Sequence, residues 1–230
     1  TPQTIAGHPV HTFVQENREL NKTTGQVRLL VSNIEKIHDE VDVTPQIREL
    51  QQLLNNLMDV DKHYRRKEYL LFPFFEKNDL PGPAMVMWGK HDEVRAILKQ
   101  TIAGLQETTT MTAAEAKAFT LFTVLPAVEA IDDMVYKEEK ILFPTALDLL
   151  TEQDWYDIYL QSDEYGYCLY APDFEWVPEG EVNKEVSNVA LQSGRVQMPT
   201  GNFTLEELIS TFSVLPFDFT FVDKEDTVRY

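Results

Sequence analysis

The sequence predicts a mainly α protein. An up-down-up-down four-helix bundle fills residues 1–150, an aromatic and acidic extension with a linker fills 151–200, and an α+β domain begins at 201–230. Three observations carry this. Apolar residues recur at helical spacing through residues 8–150. Thr-Pro and Thr-x-x-Glu start signals mark where helices begin. Finally, the segment HYRRKEYLLFP, His63–Pro73, returns as MVYKEEKILFP, Met134–Pro144, with the same run of aromatic, basic and acidic character.

The first helix is placed by Val27, Leu30, Val31, Ile34 and Ile37 on one face, with His8 as its cap and Pro9 as its first residue. The second starts where Thr44 caps and Pro45 takes the first position, and it runs to the mid-seventies. The third follows the turn NDLPGP from about Ala84. The fourth opens on a capping box, Thr112 with Glu115, and Pro126 should kink or divide it. Short links between long helices give the up-down-up-down order. Beyond residue 150, EQDWYDIYLQSDEYGYCLYAPDFEWVPEG reads as a short helix and then irregular chain, and 178–200 as a polar linker or loop. TLEELISTF reads as a helix, followed by a hairpin centred on DKED, Asp223–Asp226. That hairpin stops at Tyr230, and the chain opens without Met, so both ends read as cuts through a longer protein.

The net charge of −18 argues against nucleic acid, whose phosphates reward clustered Lys and Arg, and against an anionic membrane surface. No apolar run approaches the roughly 20 residues of a membrane span, and the N-terminus lacks the pattern of a signal peptide. A single cysteine, Cys168, rules out an internal disulfide and any all-cysteine metal site. A cytoplasmic protein is the expectation. No Gly-rich phosphate loop, Ser-His-Asp set or HExxH motif points to an enzyme.

Chemistry rests on the histidines. In an antiparallel bundle the start of the first helix is level with the end of the second, the start of the third and the end of the fourth. His8, His11, His63, His91 and the repeat around Glu138 can therefore converge, whereas His38 lies about 40 Å away at 1.5 Å per residue. Imidazole with carboxylate suits iron, manganese or zinc. Cys168, among tyrosines and acids, reads as a small buried residue.

These repeats, the helix count and KHDEVR around His91 resemble the hemerythrin-like (HHE cation-binding) proteins over roughly residues 8–150. The C-terminal segment resembles the entry helix and first hairpin of a PAS sensor domain, as in a subgroup where such a domain follows the bundle. The resemblance implies that His11, His63, His91 and Glu138 are metal ligands, with His8, Glu68 and Glu139 as further candidates. It implies non-haem iron, one ion or an incomplete pair, with zinc or manganese as alternatives.

Two positions depart from the family pattern. Lys67 stands where the second helix should carry its carboxylate, and Met134 where the fourth should carry its His. Glu68, rotated by about 140° from His63, would reach inward only through a distortion such as a π-bulge. An oxygen-carrying site of five histidines and two bridging carboxylates is therefore not expected. A reduced site, an asymmetric pair, or a metal-free bundle with Lys67 paired to Glu138 all remain open.

The leading functional expectation is a module sensing oxygen, nitric oxide or redox state, coupled to a PAS domain, with a small diatomic ligand or redox signal as its input. A metal-free structural or homodimerising bundle and a non-haem iron repair or reductase protein are the alternatives.

Overall fold

The computed structural model describes residues 2–106, 109–178, 190–192, 195–198 and 201–214. The chain divides into two compact units, Thr1–Asn183 and Lys184–Tyr230.

The first unit is a helical bundle. Its first run is α1, Pro9–Glu35, with Val10, Phe13, Leu20, Val27, Leu30, Val31 and Ile34 buried. The cap is as expected: His8 Nδ1 accepts the Val10 N–H at 3.1 Å, and Pro9 takes the first turn, where an N–H would be orphaned anyway. The second run is segmented into α2 (Thr44–Leu57), α3 (Val60–Arg66), a π-helical turn over Lys67–Leu71, and α4 (Phe72–Lys77). Val43 rather than Thr44 takes the cap position, and Asp42 Oδ1 accepts the Thr44 N–H at 2.9 Å. The third run, α5, is Pro81–Gln106, starting three residues before the expected Ala84. The fourth comprises α6 (Ala113–Phe119), a π turn over Thr120–Val124, α7 (Leu125–Lys137), a π turn over Glu138–Leu142, and α8 (Phe143–Leu149). α1 packs against α2 and α7, and α5 packs against the same two, which closes the runs around one apolar core.

Every one of these π turns leads into an X–Pro pair: Phe72–Pro73, Leu125–Pro126 and Phe143–Pro144. Proline lacks the N–H for the helical ladder, and its ring crowds the carbonyl four residues back. Here the N–H of the residue before each proline reaches five residues back, to the carbonyls of Lys67, Thr120 and Glu138. The widened turn makes room for the ring, and beside Pro126 it divides the fourth run between α6 and α7, at the place where a kink or division was expected.

α9, Glu152–Tyr165, packs against α1, α3 and the first π turn, across the end of the bundle where the histidines were expected. Gly166, at φ 73°, ends it in a conformation that costs glycine little. At the opposite end the Val41–Val43 and Met111–Ala113 segments bridge in antiparallel fashion, with Val43 N–H on Met111 O at 2.9 Å and Ala113 N–H on Val41 O at 2.8 Å.

In the second unit, β1 (Ala190–Gln192), β2 (Arg195–Met198) and β3 (Gly201–Thr204) form an antiparallel sheet in that order. β1 and β2 fall in the segment expected to be linker; three- and four-residue strands are too short to show alternation. Thr204 then caps α10, Leu205–Ser213, through a box with Glu207, in the place where a helix was expected. The hairpin expected around Asp223–Asp226 lies outside the described residues. Among the described residues, no helix is long and apolar enough to cross a membrane.

The predicted box at the fourth run is present: Thr112 Oγ1 accepts the Glu115 N–H, and Glu115 accepts the Thr112 N–H at 2.9 Å. Thr112→Ala should cost about 1 kcal/mol and lower Tm by roughly 2–4 °C for a chain of this size, read by circular dichroism.

Candidate functional site

The site follows from helical spacing on α1. Phe13, Glu16 and Leu20 are three and four residues apart, so a carboxylate faces the core between two buried apolar residues. On the second run, His63, Arg66 and Lys67 share a face by the same spacing, and all are buried. The π turn beginning at Lys67 brings Glu68 inward as well, to 3% exposure. The fourth run contributes Glu138, 1% exposed and also the first residue of a π turn.

These side chains form one connected polar network. His63 sits between two carboxylates, Nδ1 at 2.7 Å from Glu16 Oε2 and Nε2 at 2.8 Å from Glu138 Oε2. Lys67 Nζ donates to Glu138 Oε1, and Arg66 donates to Glu16 Oε2. The remaining Glu16 oxygen accepts the Cys168 backbone N–H at 2.6 Å, which ties the chain after α9 to the network. Arg66 is flanked by the rings of Phe13 and Tyr167, at 4.7 and 4.6 Å, and Lys67 lies 4.6 Å from the centre of Tyr64. Two carboxylates thus meet a lysine and an arginine, with an imidazole between them.

A second cluster adjoins the first. Arg95 grips Glu68 with two parallel hydrogen bonds, both 2.8 Å, and reaches Asp61 at 2.7 Å through Nε. His91 Nδ1 lies 2.8 Å from Glu68 Oε1. The imidazole is stacked on Tyr64, 3.9 Å between centroids, and on Phe72 at 5.8 Å. Its other nitrogen, Nε2, is buried without a hydrogen-bond partner.

The electrostatics follow from burial set against these contacts. For Glu138, burial pushes the carboxyl pKa up, but Lys67 and His63 win and hold it well below the usual carboxylate range. Burial lowers the Lys67 pKa, with Glu138 pulling the other way. Burial, reinforced by the charge of Lys67, lowers His91 to about 3, so it is a neutral imidazole. Burial works against the Glu68 carboxylate too, yet hydrogen bonds from His91 and Arg95 keep its pKa below normal. Burial and then Glu16 push the Cys168 thiol well up, which leaves it inert as a nucleophile.

Of the residues singled out from sequence, His63 and Glu138 meet directly, and His91 and Glu68 meet beside them. The others stand apart. His8 caps α1 and packs against Trp155 and Trp176. His11 is half-buried, with Nε2 3.1 Å from Gln15 Nε2. Glu139 receives a long 3.4 Å hydrogen bond from Asn17. Helical phase explains the separation of His11: five residues before Glu16, it is rotated away from the face that enters the network. Glu16, Arg66 and Arg95 went unremarked in the sequence. The signal for Glu16 was its place within the Phe13 and Leu20 spacing.

The family model of the hemerythrin HHE cation-binding domain matches residues 8–146. No curated protein matches the chain. A cation centre needs carboxylates whose charge is not already committed to the protein's own cations and N–H donors. Here both oxygens of Glu16, Glu138 and Glu68 already accept from Arg, Lys, His or backbone N–H, and both His63 nitrogens face carboxylates. Lys67 puts an ammonium on the carboxylate that would ligate, and Met134, 2% exposed, fills core where the family has a His. No group of three or more His, Cys, Asp or Glu among the described residues is arranged to hold a metal ion. The residues present do not fit a two-metal centre.

Removing one member of a buried pair strands the other. Lys67→Met should cost about 3–5 kcal/mol, read by urea unfolding, and most of that should return in Lys67→Met/Glu138→Gln. A carboxylate with a depressed folded-state pKa stabilises above its unfolded value and loses that contribution as pH falls. The stability contributed by Glu138 should therefore be complete at neutral pH and decline progressively below about pH 4.5. Glu138→Gln should flatten that acid limb of the stability–pH profile.

Proposed function

The chain belongs to the hemerythrin HHE cation-binding family, and from that premise we propose that it is a metal-free structural or dimerisation bundle. Its cation position is held by its own side chains. The observation that carries this is the Lys67 ammonium on Glu138, both fully buried, at the level where the family's ligands converge. An internal cation there does continuously what a bound metal would do: it neutralises the inward carboxylate and ties the second and fourth runs together. The bundle then acts as a rigid support for the segment that follows it, which we read as the beginning of a PAS-like domain.

A second reading keeps the metal. Buried His91 Nε2, a neutral nitrogen with no hydrogen-bond partner, favours it, because such a lone pair is free to be shared. On that reading the bundle is a non-haem iron sensor of oxygen, nitric oxide or redox state. It requires Lys67 to leave Glu138, at the cost of their mutual attraction.

Elemental analysis of protein produced with iron supplied separates the two. The metal-free bundle should contain far less than one equivalent of any transition metal and melt identically with and without chelator. One equivalent of iron that is lost in His91→Ala would overturn the metal-free reading and establish the second.

A further inference from the structure

α5 buries one side of its first turns and leaves the other bare. Ala84, Met87, His91 and Val94, three and four residues apart, face the core. On the opposite side Gly82, Met85, Val86, Gly89 and Glu93 follow the same spacing, and Met85 and Val86 are 68% and 66% exposed. The run from Leu80 to Gly89 carries no charge, in a chain where 25% of residues are charged. Leu80 adds exposed apolar surface at one end, and Trp88 and Tyr69 add more on the shoulder, their rings in edge contact at 5.7 Å. Together these residues expose on the order of 500 Å², towards the upper end for an apolar patch on a monomer.

The glycines point to a close approach by another backbone. Glycine weakens a helix interior relative to alanine. At Gly89 a Cβ would meet nothing within 4 Å, so packing within the chain does not call for the missing side chain. Gly82 is equally open. A bare backbone on an exposed, uncharged helical face lets a second helix come near.

The spacing fits a second copy of the same helix. A two-fold axis passing between Met85 and Val86 sets Met85 of one copy against Val86 of the other, and Gly82 against Gly89, because both pairs are symmetric about that point. One patch then serves both sides, as an isologous contact requires. The ends agree in charge. α5 has no acid in its own first turn. With the helices antiparallel at a shallow angle, Glu93 of each copy falls beside the N-terminus of the other, where the helix dipole favours a carboxylate. Two chains of net charge −18 repel each other, and least where the facing surfaces carry no charge. We propose that the outward face of α5 from Gly82 to Glu93 is a homodimer interface, in which two copies of the helix cross antiparallel about Met85 and Val86. The two patches together bring roughly 1,000 Å² to the contact, the lower bound for a stable interface. The dimer deepens the structural reading of the bundle by naming its partner, and it uses no residue of the Lys67–Glu138 network. Iron content decides that reading, whereas oligomeric state decides this one.

Sedimentation equilibrium of the whole chain at micromolar concentrations tests this, and should show a dimer that dissociates on dilution. Val86→Glu places an acid from each copy beside the axis and should raise the Kd at least about tenfold. The position is exposed, so the Tm of the diluted monomer should not change. Gly89→Leu should weaken the dimer as well, yet raise the Tm of the diluted monomer, because leucine favours the helix. Phe122→Glu, at an exposed apolar residue of the fourth run, should leave the dimer intact. A chain that stays monomeric would give the face to another protein and overturn the proposal. A dimer that survives Val86→Glu and Gly89→Leu, or one lost in Phe122→Glu, would overturn it too.

Discussion

The first unit is organised around a lysine ammonium laid on a glutamate in the interior of a helical bundle. Burying either group alone costs several kcal/mol, so each fixes the position of the other. Because Lys67 belongs to the second run and Glu138 to the fourth, the pair fixes how those runs face each other. His63 extends the constraint to Glu16 on α1, and Arg66 balances the Glu16 charge. Glu16 in turn accepts a hydrogen bond from the backbone after α9. A shift along any one of these helices would strand a charge, which apolar packing alone would not penalise so sharply.

Much of this was legible in the sequence, and the parts that were not have physical reasons. The helical periodicity and the capping box at Thr112 are local signals, and both appear where expected. The opposition of Lys67 and Glu138 could be anticipated because the repeated segments align residue by residue. Glu16 was harder to see: a lone acid in a helix looks like solvent-facing charge until its spacing to Phe13 and Leu20 is weighed. His8 and His11 were grouped with the network because they share its level along the bundle. Level does not fix angular position, and neither side chain enters the network.

The extension after residue 150 proved to be part of the first unit's architecture. α9 and the chain beyond it lie across the end of the bundle, where Tyr167 covers Arg66 and Cys168 caps Glu16. Composition alone marked this segment as different from the helices before it. Trp155, Tyr156 and Trp176 pack into the first unit's core and are nearly sealed from solvent, whereas Phe174 stays exposed.

The π turns have a consequence for how this sequence can change. An ordinary helix advances about 100° per residue, and each widened turn spends one additional residue without a matching advance. The residues on either side of Lys67–Leu71 therefore obey two angular frames, out of step by one position. That slip lets consecutive residues, Lys67 and Glu68, both point inward and serve different clusters. Removing a single residue from the turn would restore one frame, and one of the two charges would swing towards solvent. The length of this five-residue segment, as much as its composition, is what encodes the double network.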